Sequence, residues 1–184
     1  VVFGRAAGIR AAEVVDPNAS AKDATSPDND RLLDRFDRLR NADGGSPTAE
    51  IRDDMQVAMQ EDAAVFRTEE TLQEAMDKIQ ELRKRFENIS IQDQGKRFNT
   101  DLLEAIELGF LLDLAEVTVV ACRERRESRG AHLREDYPNR DDKKFMVHSM
   151  AYKQNKIDKK TGIDIKVDWK PVVITNYQPM ERKY

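Results

Sequence analysis

The stretch from Leu102 to Cys122 constrains this chain more than any other. It is apolar for about the length that crosses a bilayer, yet it contains Glu104, Glu107, Asp113 and Glu116. Each of those carboxylates would be costly at membrane depth, so the segment points to a soluble chain. A helix apolar nearly all round belongs in the middle of a protein. The expectation is therefore a central, buried helix from Asp101 to about Arg126, with its four acids sharing one side near solvent or a basic partner.

A central helix needs neighbours to bury it, and the preceding sequence supplies them. Leu72, Met76, Ile79, Leu82 and Phe86 recur at steps of three or four after Thr68-Glu69-Glu70. That spacing predicts an amphipathic helix whose acids sit at the positive end of its dipole. Ser46-Pro47 reads as a helix start, with serine as cap and proline in the first turn. Ile51, Met55, Val57, Ala58 and Met59 form the buried side of that helix, to about Asp62. Arg31 to Arg40 places Leu32, Leu33, Phe36 and Leu39 on one stripe, a short amphipathic helix, and residues 1–15 read as a further helix. Asp16-Pro17 and the polar run to Asp30 form a loop or linker.

Beyond the long helix the pattern changes. Phe145 to Tyr152 and Ile163 to Trp169 have strand character, the second alternating Ile163, Ile165, Val167 and Trp169 with polar residues. Lys159-Lys160-Thr161-Gly162 reads as a turn between them. The net charge of −4 conceals an acidic portion over residues 1–122 and a basic one from Arg123, where the run RERRESR begins. The fold class expected is mainly α: a bundle of three to four helices followed by a small irregular, partly β C-terminal tail. With 39% hydrophobic residues among 184, the chain has enough apolar material to close a core and is not of a disordered class.

Few kinds of chemistry fit these residues. A single cysteine, Cys122, excludes a disulfide framework, and His132 and His148 lie without a third ligand at metal-binding spacing. No GxGxxG, GxxxxGK[ST], HExxH or GxSxG occurs. Cys122, inside an apolar helix run, reads as an inert buried thiol. Asp53-Asp54 and Asp141-Asp142 read as surface pairs. The basic tail interleaves its cations with acids, so nucleic acid is not an expected partner.

One segment stands apart: residues 127–142, ESRGAHLREDYPNRDD. So many Arg and Asp side chains in an irregular stretch make sense if they pair with one another and pin it against another surface. Arg129, Gly130, His132, Arg134, Asp136, Arg140 and Asp141 are the residues expected to build such a structural or interface loop. No catalytic, cofactor-binding or metal-binding residue is expected in the chain.

This segment, with Phe145-Met146-Val147-His148-Ser149 behind it, resembles the C-terminal signature of succinate dehydrogenase and fumarate reductase flavoprotein subunits. Lys96 to Gly109 (KRFNTDLLEAIELG) is similar to the long helix of that family's helical domain. Pro179 to Tyr184 (PMERKY) is similar to its closing residues, especially in actinobacterial members, and Val1 to Gly8 (VVFGRAAG) resembles the helix after its last flavin-contacting turn. The resemblance implies the C-terminal fragment of a larger α+β flavoprotein. Residues 1–15 would be the terminal helix of an FAD-binding domain, 16–47 a linker with a short helix, 48–126 a helical domain, and 127–184 an irregular and β segment.

The resemblance also implies a function and what is missing for it. The parent would oxidise succinate to fumarate on FAD and pass electrons to an iron–sulfur subunit and quinone, at the cytoplasmic face of the cell membrane. In the family, the dinucleotide-binding turn, the histidine linked to FAD, and the substrate-binding His and Arg residues precede the position of Val1. The implied partners are the FAD-binding portion of the same subunit, the iron–sulfur subunit and, indirectly, membrane anchor subunits. This segment would be a scaffold, without FAD or activity alone. Fumarate reductase, L-aspartate oxidase and a stand-alone helical interaction module are the alternatives.

Overall fold

The computed structural model describes residues 1–20, 27–154 and 164–180. The turn expected at Lys159 to Gly162, Ile163 and the last four residues of PMERKY lie outside them. Two compact units divide at Arg35. The first contains α1, Val2–Val14, which buries none of its side chains. The helix expected from Arg31 begins earlier: α2 spans Pro27–Arg40. Proline is suited to the first helical turn, where its missing N–H has no intrahelical partner. Of the expected α2 stripe only Leu39 is buried, while Leu32, Leu33 and Phe36 face solvent.

The second unit, from Phe36 onward, is built on three helices: α3 (Thr48–Asp62), α4 (Glu69–Phe86) and α5 (Thr100–Glu124). Each packs on the other two. Thr68 and Thr71 form a reciprocal capping box at the start of α4, and the Asn99 side chain accepts the Leu102 amide at the start of α5. The bundle core joins Ile51 and Met55 of α3, Ile79 and Leu82 of α4, and Leu102, Ala105, Leu108 and Leu112 of α5. A second cluster unites Leu72, Ala75 and Met76 with Val119 and Val120. Burying one Leu or Ile stabilises by ~1.5–3 kcal/mol, so these positions hold the bundle closed.

Three local expectations are corrected. Ser46 does not cap α3: Ser46–Pro47 form β1, paired in parallel with β3 at Ile89–Ser90. Pro47 is the N-cap, without a side-chain cap bond. Val57 is exposed, because Ile51, Met55 and Ala58 follow the helical repeat and Val57 falls nearly opposite Met55. The acids of α5 do not share a side either. Steps of 100° per residue put Glu104 and Glu107 together and Asp113 and Glu116 across the helix. Glu104 is exposed and pairs with Arg52, whereas Glu116 is buried.

α5 is central, as expected, but only part of it is covered. Leu103, Phe110, Leu111 and Leu114 remain exposed along one stripe. In the tail, β4 (Leu133–Arg134) pairs in parallel with β2 (Phe66–Arg67) from the α3–α4 connection, and α6 (Asp142–Phe145) follows. Last come β5 (Val147–Lys153) and β6 (Ile165–Pro171), an antiparallel pair in register from Val147↔Pro171 to Lys153↔Ile165. Ile165 and Val167 of β6 pack on the second apolar cluster, which seats the pair on the bundle.

Candidate functional site: the charged loop at the helix ends

Where α5 ends, its last carbonyls need donors. Arg134 supplies them. Its Nη1 donates to Cys122 O (3.1 Å) and Arg123 O (3.0 Å), a cation at the negative end of the helix dipole. Its Nε and Nη2 hold Asp136 in a bidentate pair at 2.8 and 2.7 Å, and Nη2 also reaches Glu69 at 3.2 Å. The side chain is 0% exposed and lies 5.1 Å from the Tyr137 ring centroid. Asp136 in turn accepts the Glu69 amide at 2.9 Å, at the start of α4. One Arg–Asp pair thus ties the end of α5 to the beginning of α4.

A second knot forms around Glu127, also 0% exposed. It accepts from Arg125 Nη1 (2.7 Å), Arg129 Nε and Nη2 (2.9 and 3.0 Å) and the Asp141 amide (2.9 Å). Burial pushes its carboxyl up, but the donors from Arg129, the Asp141 amide and Arg125 outweigh that and hold it below the ordinary Glu value. Glu69 shows the same balance, with Arg123 and Arg134 overcoming burial. Asp136 is lowered chiefly by its hydrogen bonds from Arg134.

His132 joins the two knots. Its Nδ1 lies 2.9 Å from Arg67 Nη1 and its Nε2 lies 2.9 Å from Arg125 O. Guanidinium can only donate and a carbonyl can only accept, so the neutral Nε2–H tautomer satisfies both. Half-burial, and the charges of Arg67, Arg134 and Arg125, push the imidazole pKa down despite the Arg125 carbonyl. Arg129 and His132 exchange backbone hydrogen bonds around Gly130, whose φ of +60° favours glycine.

The other expected loop residues lie at the rim. Asp141 caps α6 by accepting the amides of Lys143 and Lys144. Arg140 pairs with Asp142 at 2.8 Å and donates to Met180 O at 2.9 Å. The structure therefore links Arg129, Asp141 and Arg140 through Glu127 and Asp142, and Arg134 with Asp136. Arg67, Glu69, Arg123, Arg125 and Glu127 belong to the same network but were absent from the expected set. The RERRESR run marked Arg123 and Arg125 only as a change of charge sign, while Glu127 lay at the head of the charged segment. Arg67 and Glu69 had no local signal, since their partners lie 65 residues away.

Chemically the network is saturated. Beside it, a cavity of about 440 Å³ is lined by Arg125, Arg129, Phe145 and His148. Arg125 donates through Nε, Nη1 and Nη2 to Ser149, Glu127 and the Phe145 and Val147 carbonyls, and its guanidinium stacks near Phe145 and Trp169. Its donors are committed to protein acceptors. Cys122 is pushed to higher pKa by burial, which makes it a poor nucleophile. Among the described residues no cluster of three His, Cys, Asp or Glu side chains is arranged to hold a metal ion.

Residues 52–184 match the family described as fumarate reductase flavoprotein C-term. The succinate dehydrogenase flavoprotein subunit of Rickettsia bellii is 41% identical over 179 residues, which is 95% of this chain and 28% of that protein. The fumarate reductase flavoprotein subunit of Haemophilus influenzae is 39% identical over 189 residues, covering 100% of this chain and 30% of that one. A solved quinol fumarate reductase of E. coli superposes with a TM-score of 0.86 at 38% identity, over 98% of this chain and 30% of that chain. The chain belongs to the C-terminal family of the succinate dehydrogenase and fumarate reductase flavoprotein subunits. It spans less than a third of the length of these relatives.

Proposed function

We propose that this chain acts as the C-terminal part of a succinate dehydrogenase flavoprotein subunit. The parent oxidises succinate to fumarate on FAD and delivers the electrons to an iron–sulfur subunit and quinone. The segment's task is scaffolding: it packs on the FAD-binding portion of the subunit and helps to present the iron–sulfur partner. Membrane anchor subunits are reached indirectly, and the assembly lies peripherally at the cytoplasmic face of the cell membrane. Among the described residues no helix is long and apolar enough to cross a membrane.

One observation carries this reading. The central helix of the bundle leaves Leu103, Phe110, Leu111 and Leu114 exposed, while its relatives are more than three times as long. An apolar stripe on the element that should be most buried is the mark of a surface with something to pack against. Within this role the loop around Arg129, Gly130, His132, Arg134, Asp136, Arg140 and Asp141 fixes the helix ends so that the stripe is presented rigidly.

The 184-residue chain alone is expected to bind no FAD and to reduce no dye with succinate, whereas co-expression with an FAD-binding portion of a relative gives a flavin-containing complex. Flavin fluorescence and dye reduction read both. Flavin retained by the chain alone would overturn the scaffold reading. The fumarate-reducing direction is the second reading, favoured by the match of this whole chain to part of the Haemophilus protein. Comparing rates of succinate oxidation and fumarate reduction in the reconstituted complex separates the two.

A further inference from the structure

The loop leading into α5 carries the most exposed aromatic side chain among the described residues. Phe98 is 98% exposed. Its φ of +53° makes it the one residue other than glycine in the left-handed region among the described residues. Bulky side chains are rarely found there, because Cβ crowds the following carbonyl oxygen. Such a backbone persists only where its surroundings over-determine it.

Here they do. Asp101 Oδ2 accepts the Gln92 amide at 2.7 Å and the Asp93 amide at 3.3 Å, and Asp93 Oδ1 accepts the Gly95 amide at 2.7 Å. Asn99 works from both ends. Its Oδ1 accepts the Leu102 amide at 2.8 Å, and its Nδ2 donates to the carbonyls of Gly95, at 3.0 Å, and Asp93. Upstream, Ile91 is buried and its amide donates to Ala42 O at 2.9 Å. These bonds hold the loop with no help from the Phe98 ring. Within this chain the ring only adds strain and wetted apolar area, so its use lies on a surface outside the chain.

We propose that Phe98 is an anchor residue for the FAD-binding portion of the same subunit, its ring entering an apolar recess on that portion. This deepens the scaffold reading and rests on it. Phe98 stands at the head of α5, the helix whose exposed Leu103, Phe110, Leu111 and Leu114 that reading assigns to the same portion. The chain matches only 28% and 30% of two relatives' lengths, so most of such a subunit is available to supply the recess. A separately made iron–sulfur subunit would leave the ring in water until assembly. A recess on the same polypeptide meets it at high effective concentration as the subunit folds. Lipid fits poorly: Asp93, Asp101, Glu104 and Glu107 outnumber Lys96 and Arg97 around the ring, so an anionic membrane surface would repel it. The rigid loop sets the ring in place beforehand, as suits an aromatic anchor.

Photocross-linking tests the contact. Phe98→benzoylphenylalanine is placed in this chain, which is co-expressed with the FAD-binding portion of the Haemophilus relative and mixed with an iron–sulfur subunit. Cross-links should map by mass spectrometry to the FAD-binding portion. Cross-links to the iron–sulfur subunit, to a second copy or to added phosphatidylglycerol vesicles, or none at all, would overturn the proposal. Phe98→Ala should weaken association with the FAD-binding portion about thirtyfold, as truncating a central aromatic does, while Phe98→Trp should largely preserve it. Phe98→Ala should also leave the urea midpoint of the chain alone unchanged; a fall as large as that of a core truncation would show that the ring packs within the chain. If Phe98→Ala binds as well as the native chain, the anchor fails and the scaffold reading stands. If the native chain does not bind, both fail.

Discussion

The apolar bundle and the charged loop hold the same three helices by opposite means. In the bundle, Ile51, Leu72, Ile79 and Leu108 are fully buried, and their attraction is non-directional: any well-fitting hydrocarbon of the right volume would serve. In the loop, Arg134 and Glu127 are as completely buried, but each buried charge is offset by partners at hydrogen-bond distance. Loss of packing in the first region removes contact area. Loss of one group in the second leaves its ionised partners without their counter-charge. The loop therefore secures geometry at the helix ends, while the bundle supplies most of the drive to fold.

Arg134→Ala tests this contrast most severely. It strands Asp136, Glu69 and two carbonyls of α5, and should destabilise the chain by about 3–5 kcal/mol in urea unfolding. Leu108→Ala removes a fully buried side chain and should cost about 2–5 kcal/mol, lying lower in that range the better the core collapses into the space. If the two losses were equal and Arg134→Met restored stability, the network would be no more directional than the core. Gly130→Ala places a Cβ at φ +60° with no atom within 4 Å to clash. Its cost is therefore the left-handed backbone alone, about 1 kcal/mol, visible as a small fall in the urea midpoint.

The smallest effect is the pH response of His132. Its folded pKa lies below the unfolded value of 6.5. Between those two values the unfolded chain binds the extra proton and the folded chain does not. Stability therefore falls as pH drops below about 6.5 and stops falling once the folded value is passed. His132→Gln should remove that step in a thermal-melt series. Losses linked to Glu69, Glu127 and Asp136 appear at still lower pH, below the ordinary carboxylate values.

These experiments bear on elements that differed in how far sequence announced them. α4 was plain from Leu72, Met76, Ile79 and Leu82, because an apolar stripe every three or four residues is a local property of a helix. The β5–β6 pair was plain in the same way from its alternation. β1 and β3, at two residues each, are too short for any periodicity, and Ser46-Pro47 satisfied the rules for a helix cap equally well. In the loop, Arg134 and Asp136 stood out through density of charge. Their companions Arg67 and Glu69 did not, since nothing near them in the chain marks a partner 65 residues on.

The long apolar helix shows the same division. Its existence, length and central place follow from composition alone: a run that apolar must be covered, and one carrying four acids does not lie in lipid. Which acid meets solvent and which is entombed does not follow. Glu104 and Glu116 are the same residue on the same helix, yet one pairs with Arg52 in the open and the other is shut in beside Arg83. Local pattern determines which backbone forms and which face is greasy. Only packing decides the dielectric around a charge and the donors within its reach, because those are set by residues brought together from across the chain.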